Sequence, residues 1–290
     1  MSEITYNLAK DAPPAMPWDE YERAALQSWN RIIDGPEASD DRAIHEFLEQ
    51  NPCFVPGAFS FPVSGHDPLF AGVFTKPPLS GIGMPVPDFM WLATATDITF
   101  PMFVEIETPA KRWFTESRQP RAEFTEARNQ LVTWKQWLNR PANRTLFLEM
   151  YGISHECRSD EIRPQFILVY GRRKEFQERP EMRGVRANQQ GDNEFHVTFD
   201  RLKPDYNAQD FLTLKMTRTQ VTAIVVPPTI RLGPHIAPSL VSVVNRPDAA
   251  MRESRMSPER RRFVAERFAY WDEWVRKCGA SRAWKLGDWE

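Results

Sequence analysis

The chain has 290 residues, 41% hydrophobic and 26% charged, which suits a globular fold with a sizeable core. Its 37 Lys and Arg nearly balance 39 Asp and Glu, so a generally basic, histone-like protein is excluded while a local basic patch is not. Cys53, Cys157 and Cys278 are the only cysteines, too few and too scattered for a disulfide framework or a zinc knuckle.

Residues 1–17 read as irregular, with Pro13, Pro14 and Pro17. Residues 18–34 predict an amphipathic helix, because Tyr21, Ala25, Trp29 and Ile32 recur at helical spacing and Gly35-Pro36 stops it. A second helix opens at Ser39 or Asp40, good N-caps, carries Ile44, Phe47 and Leu48, and ends before Asn51-Pro52. Residues 53–85, rich in Phe, Pro and Gly, fit short strands and turns. A hairpin follows, with strands over 86–94 and 100–108 and a turn over 95–99. Residues 109–120 read as a polar loop. Residues 121–139 predict a helix with a stripe of Phe124, Ala127, Leu131, Trp134 and Leu138. Strands are expected at 165–170, 195–202 and 221–228, with a basic helical or loop stretch after Gly171. Residues 257–277 predict a long terminal helix with Pro258 in its first turn. Its Phe263, Tyr270, Trp271 and Trp274 are too apolar for a lone surface helix, so they fold back on the core or form a subunit interface, and the Trp18/Tyr21/Trp29 helix is a candidate to pack there. The order implies a mixed α/β core with helical additions at both ends. The N-terminal residues have no apolar h-region and no stretch approaches 18 apolar residues, so a soluble cytoplasmic protein without membrane contact is expected.

The chemistry concentrates between residues 86 and 138. Side chains alternate across a strand, so Glu105 and Glu107 share a face while Val104 and Ile106 take the other. A hairpin can bring Asp88 alongside them. Three carboxylates in one cleft suit a hard cation such as Mg²⁺ or Mn²⁺, and metal-assisted attack on a phosphodiester is chemistry such a site supports. Taken alone, two glutamates at i and i+2 are more often a solvated face, and Asp after Pro is more often a turn residue.

The order Pro87-Asp88, hairpin, Glu105-Ile-Glu107, then a helix bearing Gln130 and Trp134 resembles the PD-(D/E)xK nuclease superfamily, with Gln130-Leu-Val-Thr-Trp134 similar to the Gln-x-x-x-Tyr element of its RecB-like members. IHEFLEQNP (44–52), VPDF (86–89), FVEIETPAKRWFTE (103–116), AEFTEARNQLVTWKQWL (122–138), FILVYGRR (166–173) and FHVTFDRLKPDY (195–206) together resemble the Shedu (SduA) family of bacterial antiphage nucleases, over about residues 40–205. The resemblance implies a PD-(D/E)xK nuclease-like mixed sheet flanked by helices. With the helical additions at both ends, the chain is expected to divide into an N-terminal helical extension (1–38), a nuclease-like core (39–230) and a C-terminal helical segment (231–290). The resemblance further implies a metal-dependent DNA endonuclease that forms a homo-oligomer. Asp88 and Glu105 take the positions of the metal-holding acids, and Glu107 takes the position of the catalytic Lys. Some family members carry Glu-Ile-Glu there. Lys111 or Arg112 could swing in to supply the cation, Glu107 could serve a second metal, or catalysis could be lost and binding remain.

An acid from the first core helix often completes such sites, and Glu46 is the candidate for a metal ligand, with Glu49 nearly as good. DNA phosphates need local positive charge, for which Arg112, Arg118, Arg172 and Arg173 are the candidates, beside Lys111, Arg121 and Lys174. Arg260-Arg261-Arg262 reads as a solvated face or an interface. His155, Glu156 and Cys157 lack a second ligand pair for zinc. A competing reading keeps the architecture without the chemistry, as a silent nuclease-fold module that binds DNA or a protein partner. A weaker one, resting on the aromatic terminal helices, is a purely structural oligomerisation protein.

Overall fold

A computed structural model describes residues 5–60, 68–79, 84, 86–95, 98–153, 161–217, 220–278 and 284–290. Among these, nine strands form one mixed sheet: β1 (Pro68–Thr75), β2 (Phe89–Ala95), β3 (Ile98–Ile106), β4 (Glu161–Ile162), β5 (Gln165–Val169), β6 (Glu194–Val197), β7 (Leu212–Thr217), β8 (Gln220–Val225) and β9 (Val243–Val244). Their spatial order is β6-β5-β3-β2-β1-β7-β8-β9, with β4 beside β3. The β1–β2–β3 meander is antiparallel, and β5 and β7 join it in parallel on either side. All five residues of β5 are buried, as a strand covered on both faces requires.

The helices are α1 (Trp18–Asp34), α2 (Asp41–Gln50), α3 (Ala122–Leu138), α4 (Pro141–Met150), α5 (Lys174–Glu178), α6 (Met182–Gln189), α7 (Ala237–Leu240), α8 (Arg246–Arg252) and α9 (Pro258–Cys278). Asp40 caps α2, its carboxylate accepting the Arg42 and Ala43 N–H groups at 2.9 and 3.3 Å. The α3 stripe of Phe124, Ala127, Leu131, Trp134 and Leu138 is buried, and each large member contributes about 1.5–3 kcal/mol through removal from water. Buried side chains from both terminal segments belong to the same hydrophobic cluster as the sheet.

Several expectations need correcting. The strand expected over 195–202 is only Glu194–Val197, after which Phe199–Arg201 turn as a 3-10 helix. The first hairpin strand begins at Phe89, leaving Asp88 in a bend just before it. Residues 109–120 are not simply polar. Trp113 and Phe114 are fully buried, and Glu175 accepts their N–H groups at 2.9 and 3.0 Å. A buried backbone without strand partners needs such an acceptor. Helix α1 does not pack on α9 through its tryptophan. Trp29 stacks on Phe47 at 5.0 Å and Phe199 at 5.9 Å, facing the sheet side of the core. The aromatic partner of α9 is Tyr6, whose ring lies 5.7 Å from Trp271 and 5.8 Å from Trp274. The α9 stripe therefore folds back on its own chain, through Val264, Phe268, Trp271 and Trp274. His155, Glu156 and Cys157 lie outside the described residues, as does part of the β2–β3 turn.

Candidate active site

The sheet register places the charged groups. Phe89 pairs with Val104, and Thr75 pairs with Phe89. One step further along both ladders, Asp88 stands opposite Glu105 and Lys76 stands opposite Asp88. Directly opposed residues share a face of the sheet. A row of Lys76, Asp88 and Glu105 thus crosses the ends of three strands. The Lys76 N–H closes the ladder on the Asp88 carbonyl at 2.8 Å.

Asp88 is held on three sides. Its Oδ2 accepts the Ile106 N–H at 2.7 Å, and its Oδ1 forms an ion pair with the Lys76 ammonium. His45 Nδ1, from α2, stands 3.6 Å from that same oxygen. The His45 ring stacks on Phe89 with centroids 4.7 Å apart, which fixes its plane. On its other side His45 Nε2 lies 3.3 Å from Glu49 Oε1 and 3.1 Å from Thr75 Oγ1. His45 holds the Glu49 carboxyl below its usual range, aided by the Thr75 hydroxyl against the effect of burial.

Glu105 is the exceptional group. It is 6% exposed, and its Oε2 is buried without a hydrogen-bond partner among the described residues. Burial, then the neighbouring Asp88 and Glu107 carboxylates, push its pKa up to about 9, against the pull of Lys76. Glu107, just beyond β3, is anchored by its N–H to the Val169 carbonyl at 3.0 Å. Its carboxyl forms an ion pair with Lys111. Burial raises Glu107, with Lys111 opposing. Burial lowers Lys111, but the Glu107 carboxylate outweighs it and holds the ammonium above its usual value.

These groups line a cleft of about 770 Å³ between α2, the strand ends and α3. Eight acids line it against Arg42, Lys76 and Lys111 as permanent cations. The cleft brings together Asp88, Glu105, Glu107, Lys111, Gln130 and Glu46. Glu46 points outward, exposed, with Oε1 2.7 Å from Arg42 Nε, while Glu49 turns inward toward His45. Gln130 lines the cleft from α3, and Trp134, one turn on, is buried.

The four arginines considered for DNA are spread apart. Arg112 borders an adjoining cleft with Lys111 and Arg121, 3.5 Å from Glu116. Arg118 is exposed, 4.0 Å from Glu181. Arg172 is engaged by Asp34 at 2.8 Å, Asp200 at 2.9 Å and the Ile33 carbonyl. Arg173 lies at a separate arginine-lined cavity.

Sequence reasoning missed Lys76. It follows the apolar run of β1 at the strand end, a place where open sheets present ligand-binding groups. It gave His45 no role in the site. The helical spacing of His45 and Glu49 was the available signal, since side chains four apart meet.

The donor set is hard oxygen. Among the described residues no three His, Cys, Asp or Glu side chains are grouped to hold a metal ion. Mg²⁺ with retained waters needs only one or two carboxylates, so Asp88 and Glu105 are the residues that could hold one. An unpartnered buried oxygen on Glu105 fits that assignment.

The sequence profile of the family described as "Shedu protein SduA, C-terminal" matches residues 38–202, more than half of the chain. The matched span runs from the start of α2 to the turn after β6 and contains every residue of the Lys76–Asp88–Glu105 row. No curated protein matches the chain.

Proposed function

Because the chain belongs to the family of the Shedu protein SduA C-terminal region, we propose that it is a Mg²⁺- or Mn²⁺-dependent DNA endonuclease of the PD-(D/E)xK type, acting in antiphage defence. The observation that carries this reading is Glu105: a buried carboxyl with an orphaned oxygen, opposite Asp88, in a cleft with an excess of acids. Such a carboxyl invites a divalent cation as its missing counter-charge.

Asp88 and Glu105 would hold the cation. When bound, the ion supplies Lewis acidity toward the scissile phosphate oxygen. The Ile106 N–H fixes the Asp88 oxygen that faces away from Lys76. Glu105, whose anion burial and Asp88 disfavour, is the carboxyl whose charge such an ion would balance. Lys76, beside Asp88 in the row, would meet negative charge growing on a bound phosphate, where a preorganised donor is worth about 10²–10³ in rate. It supplies from a neighbouring strand the positive charge that Glu107 cannot. Glu107 orients Lys111 along the cleft. Gln130 presents an amide to the same space. The proposed substrate is DNA, with Arg112 at the adjoining cleft available to its phosphates. Self-association in solution and a cytoplasmic location belong to the same proposal. No helix among the described residues is long and apolar enough to cross a membrane.

A second reading, a silent module that binds DNA or a partner, is favoured by one feature: the Lys111 ammonium is already answered by Glu107. Incubation of the purified chain with plasmid and linear DNA decides between them. The nuclease reading predicts strand breaks that need Mg²⁺ or Mn²⁺ and vanish in Asp88→Ala and Glu105→Ala. Cleavage that survives both substitutions, or binding without cleavage under every divalent ion, overturns it.

A further inference from the structure

A second site lies on the far side of the Trp113 loop. A cavity of about 250 Å³ is lined by Arg173, Arg183, Arg186 and Arg201, with Thr198 and the buried His196. No acidic side chain lines it. It shares no lining residue with the carboxylate cleft.

Several arginines elsewhere in this molecule are answered by carboxylates. Arg246 meets Asp272 at 2.6 Å, Arg255 meets Glu253 at 2.7 Å and Arg260 meets Glu290 at 2.6 Å. Arg183 and Arg186 differ. Among the described residues neither forms an ion pair with a carboxylate. Arg183 directs Nε to the Phe176 carbonyl at 3.2 Å. Arg186 is half-buried, its guanidinium 4.7 Å from the Phe176 ring centre and 5.5 Å from that of Trp113. Stacking holds it in place but does not neutralise it. Burial and the nearby Arg201 both work against its charge. His196 adds an independent sign: its Nδ1 is buried and has no hydrogen-bond partner among the described residues, while Nε2 faces Glu194 at 3.3 Å. Arg183 and Arg186 thus bring two guanidinium charges to a cavity whose lining holds no carboxylate, beside the unsatisfied His196 Nδ1. Arginine forks match phosphate oxygens two at a time.

A neighbouring cavity opens beside the arginines. It measures about 450 Å³, shares Val197 and Arg201 with the first, and presents Phe59 and the edge-to-face pair Trp18–Tyr206, with Glu22 and Asp205 also in its lining. Aromatic faces of this kind stack nucleobases. We propose that the paired cavities bind a free nucleoside diphosphate, with its phosphates among the arginines and its base against the Trp18–Tyr206 aromatic pair.

Calorimetric titration of the full chain with ADP, pyrophosphate and adenosine at matched ionic strength, without DNA, tests this. The expected order of affinity is ADP, then pyrophosphate, then adenosine. Arg183→Gln, at an exposed position, weakens ADP about tenfold, the loss of one charge-assisted contact. The double variant Arg183→Gln/Arg186→Gln weakens it further, and urea midpoints report whether it is folded. Trp18→Ala weakens ADP and leaves pyrophosphate unchanged. Absence of saturable ADP binding, or unchanged affinity in Arg183→Gln, overturns the site. Equal affinity for ADP and pyrophosphate overturns the nucleotide assignment. Because the readout is binding without DNA, its failure is separable from failure of the nuclease reading.

Discussion

Glu105→Gln separates the charge of this residue from its shape. The Glu105 carboxyl titrates at about 9 in the folded chain, against an ordinary 4.5, because burial and then Asp88 and Glu107 disfavour its anion. A carboxyl whose folded value is raised is bound to its proton in the native state while the unfolded chain has released it. Stability then falls as pH rises from the unfolded value to the folded one. Between pH 4.5 and 7, at ~1.4 kcal/mol per unit, the loss reaches ~3 kcal/mol. Gln has nearly the same volume and never ionises. Without divalent ions, Glu105→Gln therefore matches the wild type near pH 4 and exceeds it by up to ~3 kcal/mol at pH 7. Bound metal reverses the comparison. Mg²⁺ at about 100 times its dissociation constant stabilises the wild type by ~3 kcal/mol and leaves the variant unmoved. Urea denaturation at both pH values, with EDTA or with Mg²⁺, reads all four quantities. A variant less stable than wild type at pH 7 in EDTA, or one stabilised by Mg²⁺ as strongly as wild type, refutes the reasoning.

Other perturbations probe the same frame. Lys76→Met removes the half-exposed partner of the buried Asp88 carboxylate, so unfolding free energy falls by about 1–3 kcal/mol, while Mg²⁺-dependent DNA cleavage drops about 10²–10³-fold in a plasmid-nicking assay. Gly171 has φ of +56°, and a Cβ there would stand 2.6 Å from the Lys111 carbonyl and 2.8 Å from Trp113 Nε1. Gly171→Ala thus costs about 1–3 kcal/mol in a thermal or urea melt and displaces the loop that carries Lys111. Asp210 is buried, accepts the Arg231 N–H at 2.8 Å, and is pushed up to about 7 by burial. Its share of stability declines from about pH 4 to about pH 7, at up to ~1.4 kcal/mol per unit, and Asp210→Asn removes that part of the pH slope. Identical slopes for Asp210→Asn and wild type contradict this.

The hairpin acids were legible because strand periodicity is two and both strands are local in sequence. Alternation alone placed Glu105 and Glu107 on one face, and the antiparallel turn brought Asp88 to Glu105. The α3 stripe was legible for the same local reason at helical spacing. Lys76 was not, because it enters through the β1–β2 pairing and no residue near it in sequence carries the site. The choice between Glu46 and Glu49 turned on rotation of α2 about its axis, which His45 and Thr75 settle through contacts. The 109–120 loop read as polar because composition does not reveal a distant acceptor. Glu175, some sixty residues on, is what permits Trp113 and Phe114 to be buried there. Tyr6 on α9 is likewise a contact between chain ends that periodicity does not encode.

A crystal of the full chain soaked in Mn²⁺, with anomalous scattering recorded at the manganese edge, tests the central claim most directly. The account predicts a peak within coordination distance, ~2 Å, of both an Asp88 and a Glu105 oxygen, with the remaining ligands supplied by water. A peak elsewhere, or none while Lys76 still answers Asp88, contradicts it.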